Sequence, residues 1–88
     1  MKKYNFPEVQ IAVKKLNKRW GSCDRLKKKI TLNVELIKCP VQCIEYVFMH
    51  ELVHLKYKNH DKKFYTFFSQ VMPEWKKRKL RLELSPLI

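Results

Sequence analysis

The sequence predicts an α+β fold in which a small antiparallel sheet packs on a central helix, with further helices behind it. Two short segments near the N-terminus alternate apolar and polar residues, and two later segments place apolar residues at the three- and four-residue spacings of a helix. The 88 residues are enough for one small domain that buries roughly 65% of its surface, so we expect residues 1–88 to form a single domain.

The strand segments lie on either side of a charged stretch. Val9, Ile11 and Val13 alternate with polar residues, and residues 30–34 repeat the pattern. Period-two alternation is typical of strands with one buried face. Residues 17–28 contain the only Gly and many charges, so we interpret them as a loop. The two strands can then pair antiparallel, with the Ile30–Asn33 segment at an exposed edge.

The helical segments follow Pro40, which is compatible with a helix start. The first spans residues 41–56 and is apolar almost all round in its second half, which favours burial. The second follows a cap at Asn59 or Asp61 and has an i, i+3, i+4, i+7 stripe that indicates a core face. This stripe consists of Phe64, Phe67, Phe68 and Val71. The third is short and basic, over residues 74–84.

Positive charge dominates the composition. Lys and Arg number 20 against 8 Asp and Glu, a formal net charge of +12. The segment from Lys14 to Lys29 holds eight basic residues and one Asp. Such a block can bind a nucleic-acid backbone or an acidic protein, and the alternative is a solvated basic surface. The sequence lacks RNP aromatic motifs and zinc-finger spacing, so charge alone does not define a nucleic-acid module.

Membrane association and secretion are not predicted. The longest apolar run is four residues, Tyr46 to Met49, far short of a membrane span. The N-terminal residues lack the apolar region of a signal peptide. An odd number of cysteines, Cys23, Cys39 and Cys43, favours free thiols in a reducing compartment. We therefore expect a cytoplasmic protein.

The buried first helix contains the residues that indicate chemistry. His50 and His54 are four apart, so both imidazoles lie on one helix face and can bind one Zn²⁺. Glu51 projects close enough to reach a water on that metal, as in the His-Glu-x-x-His arrangement of metalloproteases. Burying three titratable groups without a purpose is costly, although histidines satisfied within the core are the alternative.

A third ligand is expected because catalytic zinc usually takes three protein ligands and keeps one open position. His60 is the last His of the chain, six residues after His54. The polar stretch between them allows the helix to end and His60 to turn back. The alternatives are the carboxylates of Asp61 and Glu74.

At these residues the sequence resembles the YgjP-like metallopeptidase domains, which belong to the zincin-like group. The resemblance runs from Ile11 to Trp75. Its most specific parts are Trp20-Gly21-Ser22-Cys23 and His50-Glu51-Leu52-Val53-His54, together with Asn59-His60, Phe64, Pro73 and Trp75. More distantly, the chain is similar to the SprT-like and WLM domains, which share the third His and a following Phe.

The resemblance implies a zincin-like fold, zinc held by His50, His54 and His60, and a catalytic Glu51. Family members usually carry a longer N-terminal region, so the C-terminal part of a longer protein is an alternative to a complete single domain. Tyr65 stands where the family often has Trp, a change that affects packing.

The Trp20–Cys23 segment has two interpretations. Gly21 can supply a positive φ for a tight turn, while Arg19 or Ser22 points into the cleft. Alternatively, the segment only braces the two strands. A nucleophilic role for Cys23 is not expected, because zinc chemistry needs none.

The function predicted from these residues is peptide-bond hydrolysis by a zinc-activated water, with Glu51 as general base. Arg19, Tyr57 and Tyr65 are candidates for contacts to the substrate or the transition state. The expected substrate is a peptide or protein, which could pair with an exposed strand edge. The alternative is an inactive, zinc-stabilised basic module that binds nucleic acid or an acidic protein.

Overall fold

The computed structural model describes residues 8–84, which form a three-stranded sheet, a 3₁₀ helix and three α-helices. Residues 1–7, which include part of the segment considered for a signal peptide, and residues 85–88 lie outside this range. The elements are, in order, β1 (Gln10–Lys14), β2 (Gly21–Asp24), β3 (Lys29–Asn33), the 3₁₀ helix (Val34–Lys38), α1 (Val41–His54), α2 (Lys62–Val71) and α3 (Trp75–Glu83). The predicted α+β fold class is confirmed.

The sheet is mixed, with strand order β1-β3-β2. β2 pairs antiparallel with β3, and β1 pairs parallel with β3. The two strands predicted from alternation therefore pair parallel and not antiparallel. The cause is β2, which lies within the stretch interpreted as a loop and takes one side of β3. The chain between β1 and β3 thus becomes the crossover that a parallel pair requires.

β3 is the central strand, so the prediction of an exposed edge at Ile30–Asn33 is wrong. Ile30 is 0% exposed and Asn33 is 1% exposed. The alternation of apolar and polar residues is misleading here because the polar side chain of Asn33 is buried and forms hydrogen bonds through both its amide nitrogen and its oxygen. Its amide donates to the carbonyl oxygens of Leu16 at 3.0 Å and Arg19 at 2.7 Å, and its oxygen accepts from the Glu35 N–H at 3.0 Å. Asn33 thereby ties the chain before β2 to the sheet.

α1 is the central helix and contacts β2 and β3 as well as α2 and α3. It follows Pro40 as N-cap and buries residues on several sides, as its composition predicts. On the α3 side, the Arg78 guanidinium donates to the carboxylates of Glu45 at 2.7 Å and Glu74 at 3.0 Å. No helix within residues 8–84 is long and apolar enough to cross a bilayer.

α2 is capped by Asp61, whose side chain accepts a hydrogen bond from the Phe64 N–H at 3.1 Å. This capping contact is the usual role of Asp at a helix N-terminus. Phe64 and Phe68 are both 0% exposed, which confirms the core face predicted from their spacing. α2 therefore packs its aromatic stripe against α1 directly behind the His-bearing face.

Candidate active site

The site begins on one face of α1. His50 and His54 lie one turn apart there, partly exposed, and Glu51 between them is buried at 7% exposure. The helical spacing brings the two imidazole rings to a centroid distance of 4.9 Å. The structure therefore places both side chains on one face of the helix, as the sequence predicts.

His60 completes a cluster of three imidazoles. Its Nε2 lies 2.9 Å from Nε2 of His54 and 3.2 Å from Nε2 of His50. Nitrogens that bind zinc tetrahedrally at ~2.0–2.1 Å are about 3.3 Å apart, close to both distances. One potential ligand atom from each residue lies within 4.8 Å of the others. The donor set therefore fits a zinc ion, and among residues 8–84 no fourth His, Cys or carboxylate joins it.

The alternative third ligands are engaged elsewhere. The Asp61 carboxylate caps α2, and the Glu74 carboxylate accepts a hydrogen bond from Arg78 on α3. The return of His60 is possible because α1 ends at His54 and the chain turns before α2 starts at Lys62. Of the three residues considered for this position, the structure brings only His60 to the pair on α1.

Hydrogen bonds and burial favour the metal-binding form of the imidazoles. The Nδ1–H of His54 donates a hydrogen bond to the carbonyl oxygen of Tyr57 at 3.2 Å. With the proton on Nδ1, the lone pair of Nε2 can bind a metal. Burial, and then the neighbouring His50, lower the pKa of His54, and the same two causes lower the pKa of His60. A lower pKa keeps these rings neutral, and a neutral imidazole is the form that binds a metal.

Phe64 forms the floor beneath the cluster. Its ring centroid lies 5.3 Å from that of His50, 4.7 Å from His54 and 4.9 Å from His60. The ring is 0% exposed and is fixed by the capped start of α2. A rigid apolar floor restricts the orientations of all three imidazoles, which gives a physical reason for a Phe ten residues after His54.

The opposite wall is built from β2, which the sequence analysis missed. Gly21 lies so close to α1 that a Cβ atom there would meet Val47 Cγ1 at 2.8 Å and Glu51 Cγ at 3.3 Å. The described residues contain no glycine with positive φ, so the predicted tight turn at Gly21 is wrong. Glycine is required for close approach of the strand to the helix, a contact that no local pattern reveals.

Between these walls lies a cleft of about 440 Å³. Its lining comprises Arg19, Gly21, Ser22, Cys23, Arg25, His50, Glu51, His54, Lys58 and His60. Burial, the largest cause, raises the pKa of the Cys23 thiol to about 11. The thiol is therefore protonated at neutral pH, in line with the expectation that it is not a nucleophile.

The three candidates for substrate contacts occupy different places. Arg19 lines the cleft. Tyr57 packs against Phe67 at a ring distance of 5.7 Å and borders a separate cavity. Tyr65 stacks between His60 and Trp75, at centroid distances of 6.2 and 5.1 Å. The structure therefore brings Arg19 to the cleft, while the two tyrosine rings lie outside its lining.

A second cavity, of about 240 Å³, adjoins the first and was not anticipated. It shares Arg19, Gly21, His50 and Glu51 with the cleft, and its other walls include Trp20, Tyr46, Val47 and Leu82. Burial is the largest cause that raises the pKa of Tyr46 to about 12, so its hydroxyl remains a donor. The sequence signal that could have indicated this cavity is the position of Tyr46, one helical turn before His50.

Comparison with known proteins identifies the family and the fold. The family described as "YgjP-like, metallopeptidase domain" matches residues 1–85. The metallopeptidase zymogen abylysin of Pyrococcus abyssi has a similar crystal structure, with a TM-score of 0.77 and 24% identity over 86% of this chain and 76% of that one. The zymogen jannalysin of Methanocaldococcus jannaschii gives a TM-score of 0.74 and 23% identity, over 90% and 81% of the two chains. No curated protein matches the chain significantly.

Proposed function

The chain belongs to the family of YgjP-like metallopeptidase domains and is a metallopeptidase, and on this premise we propose that it hydrolyses peptide bonds with zinc held by His50, His54 and His60. The single observation that carries the proposal is the convergence of three imidazole Nε2 atoms beside the buried carboxylate of Glu51, which lies on the helix that holds His50 and His54. An inactive binding module needs no carboxylate at that point.

The proposed metal would supply Lewis-acid chemistry, by lowering the pKa of a water and polarising the scissile carbonyl. His54 holds its Nε2 ready for the metal through the Nδ1–H bond to Tyr57, and Phe64 restrains the rings from below. Within the described residues the ligand set leaves one tetrahedral position open, which is characteristic of catalytic sites.

Glu51 is proposed as the general base. One carboxylate oxygen lies 3.3 Å from Nδ1 of His50, and the side chain lines the same cleft as all three imidazoles. From this position it can accept a proton from the attacking water and pass it to the leaving amine. Gly21 lies beside this side chain, since a Cβ atom there would meet Glu51 Cγ at 3.3 Å.

Arg19 is proposed to stabilise negative charge on the carbonyl oxygen. It lines the cleft beside Glu51, and its backbone carbonyl is fixed by the Asn33 amide at 2.7 Å. Loss of one such donor typically costs about 10²-fold in kcat or more. Arg19→Met should therefore lower kcat with little change in zinc content, and an unchanged kcat would contradict this role.

The proposed peptide substrate binds as an added strand. β2 is an edge strand, and its consecutive residues Gly21, Ser22 and Cys23 line the cleft. An edge strand has unpaired N–H and C=O groups that an extended peptide can satisfy. The substrate edge is thus assigned to β2, in place of the segment 30–33 expected from the sequence.

Metal analysis and a cleavage assay test this proposal. We expect one Zn²⁺ per chain after exhaustive dialysis, measured by inductively coupled plasma mass spectrometry. A chelator should abolish cleavage of a denatured protein such as casein, and stoichiometric Zn²⁺ should restore it. Metal-free protein with full cleavage activity would refute the proposal.

A basic surface supports nucleic-acid binding as a second candidate function. The segment from Lys14 to Lys29 holds eight basic residues, and all of them except Lys29 are exposed. Such a surface would bind phosphates without reading bases. Titration of labelled oligonucleotides at several salt concentrations tests it.

A further inference from the structure

Two cavities of different chemistry meet at Glu51 and His50, and the inference drawn from them rests on the proposed peptidase function. We propose that the cleft selects peptides with acidic residues on the N-terminal side of the scissile bond and a large apolar residue on the C-terminal side. Both cavities share the walls formed by Arg19, Gly21, His50 and Glu51. A peptide crossing this shared wall places the flanking residues of the scissile bond in opposite cavities.

The larger cavity is positively charged. Besides the imidazoles it is lined by Arg19, Arg25 and Lys58, and its one carboxylate is the proposed base, Glu51. All three cations are exposed, and none forms an ion pair with a carboxylate in the part of the chain that the structure describes. Arg25 and Lys58 are therefore available to substrate carboxylates, while Arg19 serves the proposed contact to the carbonyl oxygen. Positively charged substrate residues would be repelled in this cavity.

The smaller cavity is mainly apolar. Tyr46, Val47 and Leu82 are buried at 8%, 3% and 4% exposure, and Trp20 is partly buried beside them. Charged residues are restricted to Arg19, Lys79 and Glu83 at exposed positions and to Glu51 at the shared wall. A volume of about 240 Å³ accommodates one large aliphatic or aromatic side chain. Apolar walls favour such a side chain because its burial removes apolar surface from water.

The direction of β2 assigns the order of the two residues. The strand runs from Gly21, next to Trp20 in the apolar cavity, toward Cys23 and the following Arg25, which line the basic cavity. A peptide that adds antiparallel runs the opposite way, so its N-terminal part meets the basic cavity first. Antiparallel pairing is slightly more stable per residue than parallel pairing, which favours this orientation.

Peptide binding to zinc-loaded Glu51→Gln protein tests the inference without turnover. The probe is a fluorescein-labelled peptide with Glu-Glu before and Leu after its centre, measured by fluorescence anisotropy. Replacing both Glu by Gln should weaken binding about three- to ten-fold at low salt. Replacing Leu by Ser should weaken it about ten-fold. Equal affinity for these peptides, or tighter binding of the reversed order, would overturn the inference.

Charge reversal in the protein gives the matched test. Arg25→Glu combined with Lys58→Glu should remove the preference for the Glu-Glu peptide and create one for a Lys-Lys peptide. The control is Lys63→Glu, an equally exposed lysine that borders the separate cavity near Tyr57. The Lys63→Glu protein should still bind the Glu-Glu peptide more tightly than the Lys-Lys peptide. If Lys63→Glu changed the peptide preference as much as the double variant does, the effect would be due to net charge, and the proposed basic subsite would be overturned.

A parallel cleavage profile separates the two levels of the proposal. Wild-type protein is incubated with a proteome-derived peptide library, and the new termini are identified by mass spectrometry. Zinc-dependent cleavage without enrichment of acidic and apolar residues refutes the subsites and leaves the peptidase function intact. Selective binding to Glu51→Gln protein, with no cleavage by wild type, refutes the peptidase function and leaves the subsites intact.

Discussion

The two walls of the cleft are built in different ways. The helical wall consists of α1 and His60, which supply every proposed ligand and the proposed base within eleven residues of chain. The strand wall consists of residues 20–23, which reach α1 only through long-range contacts such as Gly21 against Val47. In the proposed mechanism the helical wall supplies the metal ligands and the base, whereas the strand wall shapes the space in which a substrate would lie. Substitutions in the first should affect metal and kcat, and those in the second should affect stability and KM.

The largest effect is expected for His54→Ala in the helical wall. A zinc ligand set can contribute on the order of 10 kcal/mol to a small fold, so this variant should lose its metal and much of its thermal stability. Zinc content and the melting temperature with and without added Zn²⁺ measure both losses. Gln42→Ala, an exposed change on the same helix, is the control. Full zinc retention by His54→Ala would refute the ligand assignment.

Glu51→Gln should separate metal binding from catalysis within the same wall. The amide keeps the size of the side chain but cannot accept the proton, so kcat should fall about 10²–10⁴-fold. Zinc content should remain one ion per chain. Glu45→Gln, on the exposed side of α1 where Glu45 pairs with Arg78, should retain activity. Wild-type rates in the Glu51 variant would show that the base is another group.

Gly21→Ala is the sharpest test of the strand wall. The added methyl would lie 2.8 Å from Val47 Cγ1 and 3.2 Å from the Thr31 carbonyl oxygen, so β2 must shift away from α1. Overpacking of this kind costs about 1–3 kcal/mol. We expect a lower melting temperature, retained zinc and a KM that rises more than kcat falls.

The control for that variant is Ser22→Ala, which alters the adjacent residue without adding a Cβ atom. Its melting temperature should stay close to that of wild type. If Gly21→Ala instead lost zinc, the two walls would be coupled and the distinction between them would fail. A melting temperature equal to that of wild type would contradict the close approach.

The smallest effect concerns the basic segment Lys14–Lys29, which includes the strand wall. If about four or five of its cations bind phosphates, the log–log slope of affinity against salt should be about −3 to −4.5. Anisotropy titrations of single- and double-stranded oligonucleotides at several salt concentrations measure it. Absence of binding at about 50 mM salt would leave the charge as a solvated surface.

The contrast between the walls also explains what sequence reasoning could reach. The helices were predicted to within a few residues, because their apolar spacing and the Pro40 and Asp61 positions are local signals. The His cluster was predicted for the same reason. β2 was missed because Gly21-Ser22-Cys23-Asp24 neither alternates nor favours a strand. Its pairing depends on β3 and α1, which are distant in sequence.

β3 shows a second limit. Thr31 and Asn33 are polar, so alternation indicated a solvated face, yet both are buried. The reason is specific to Asn33, whose amide satisfies carbonyl groups of the chain that precedes β2. A single sequence cannot show that a polar residue has buried partners. The apolar cavity was not predicted for a similar reason, since its walls come from residues 20, 46, 47 and 82, which lie in three distant parts of the sequence.

The nearness in sequence of His50, His54, His60 and Phe64 has a consequence for how the protein matures. Joining His54 to His60 closes a short loop, and the entropy lost on closing short loops is small. Contacts of this kind can form without the sheet, so zinc can be captured by a chain that has only α1 and the start of α2 in place. The cleft requires β2 against α1, and therefore the complete fold. If the proposed metal site is correct, metal loading can precede the ability to bind substrate, and a partly folded, metal-bound chain would lack the cleft that it needs to cleave its neighbours.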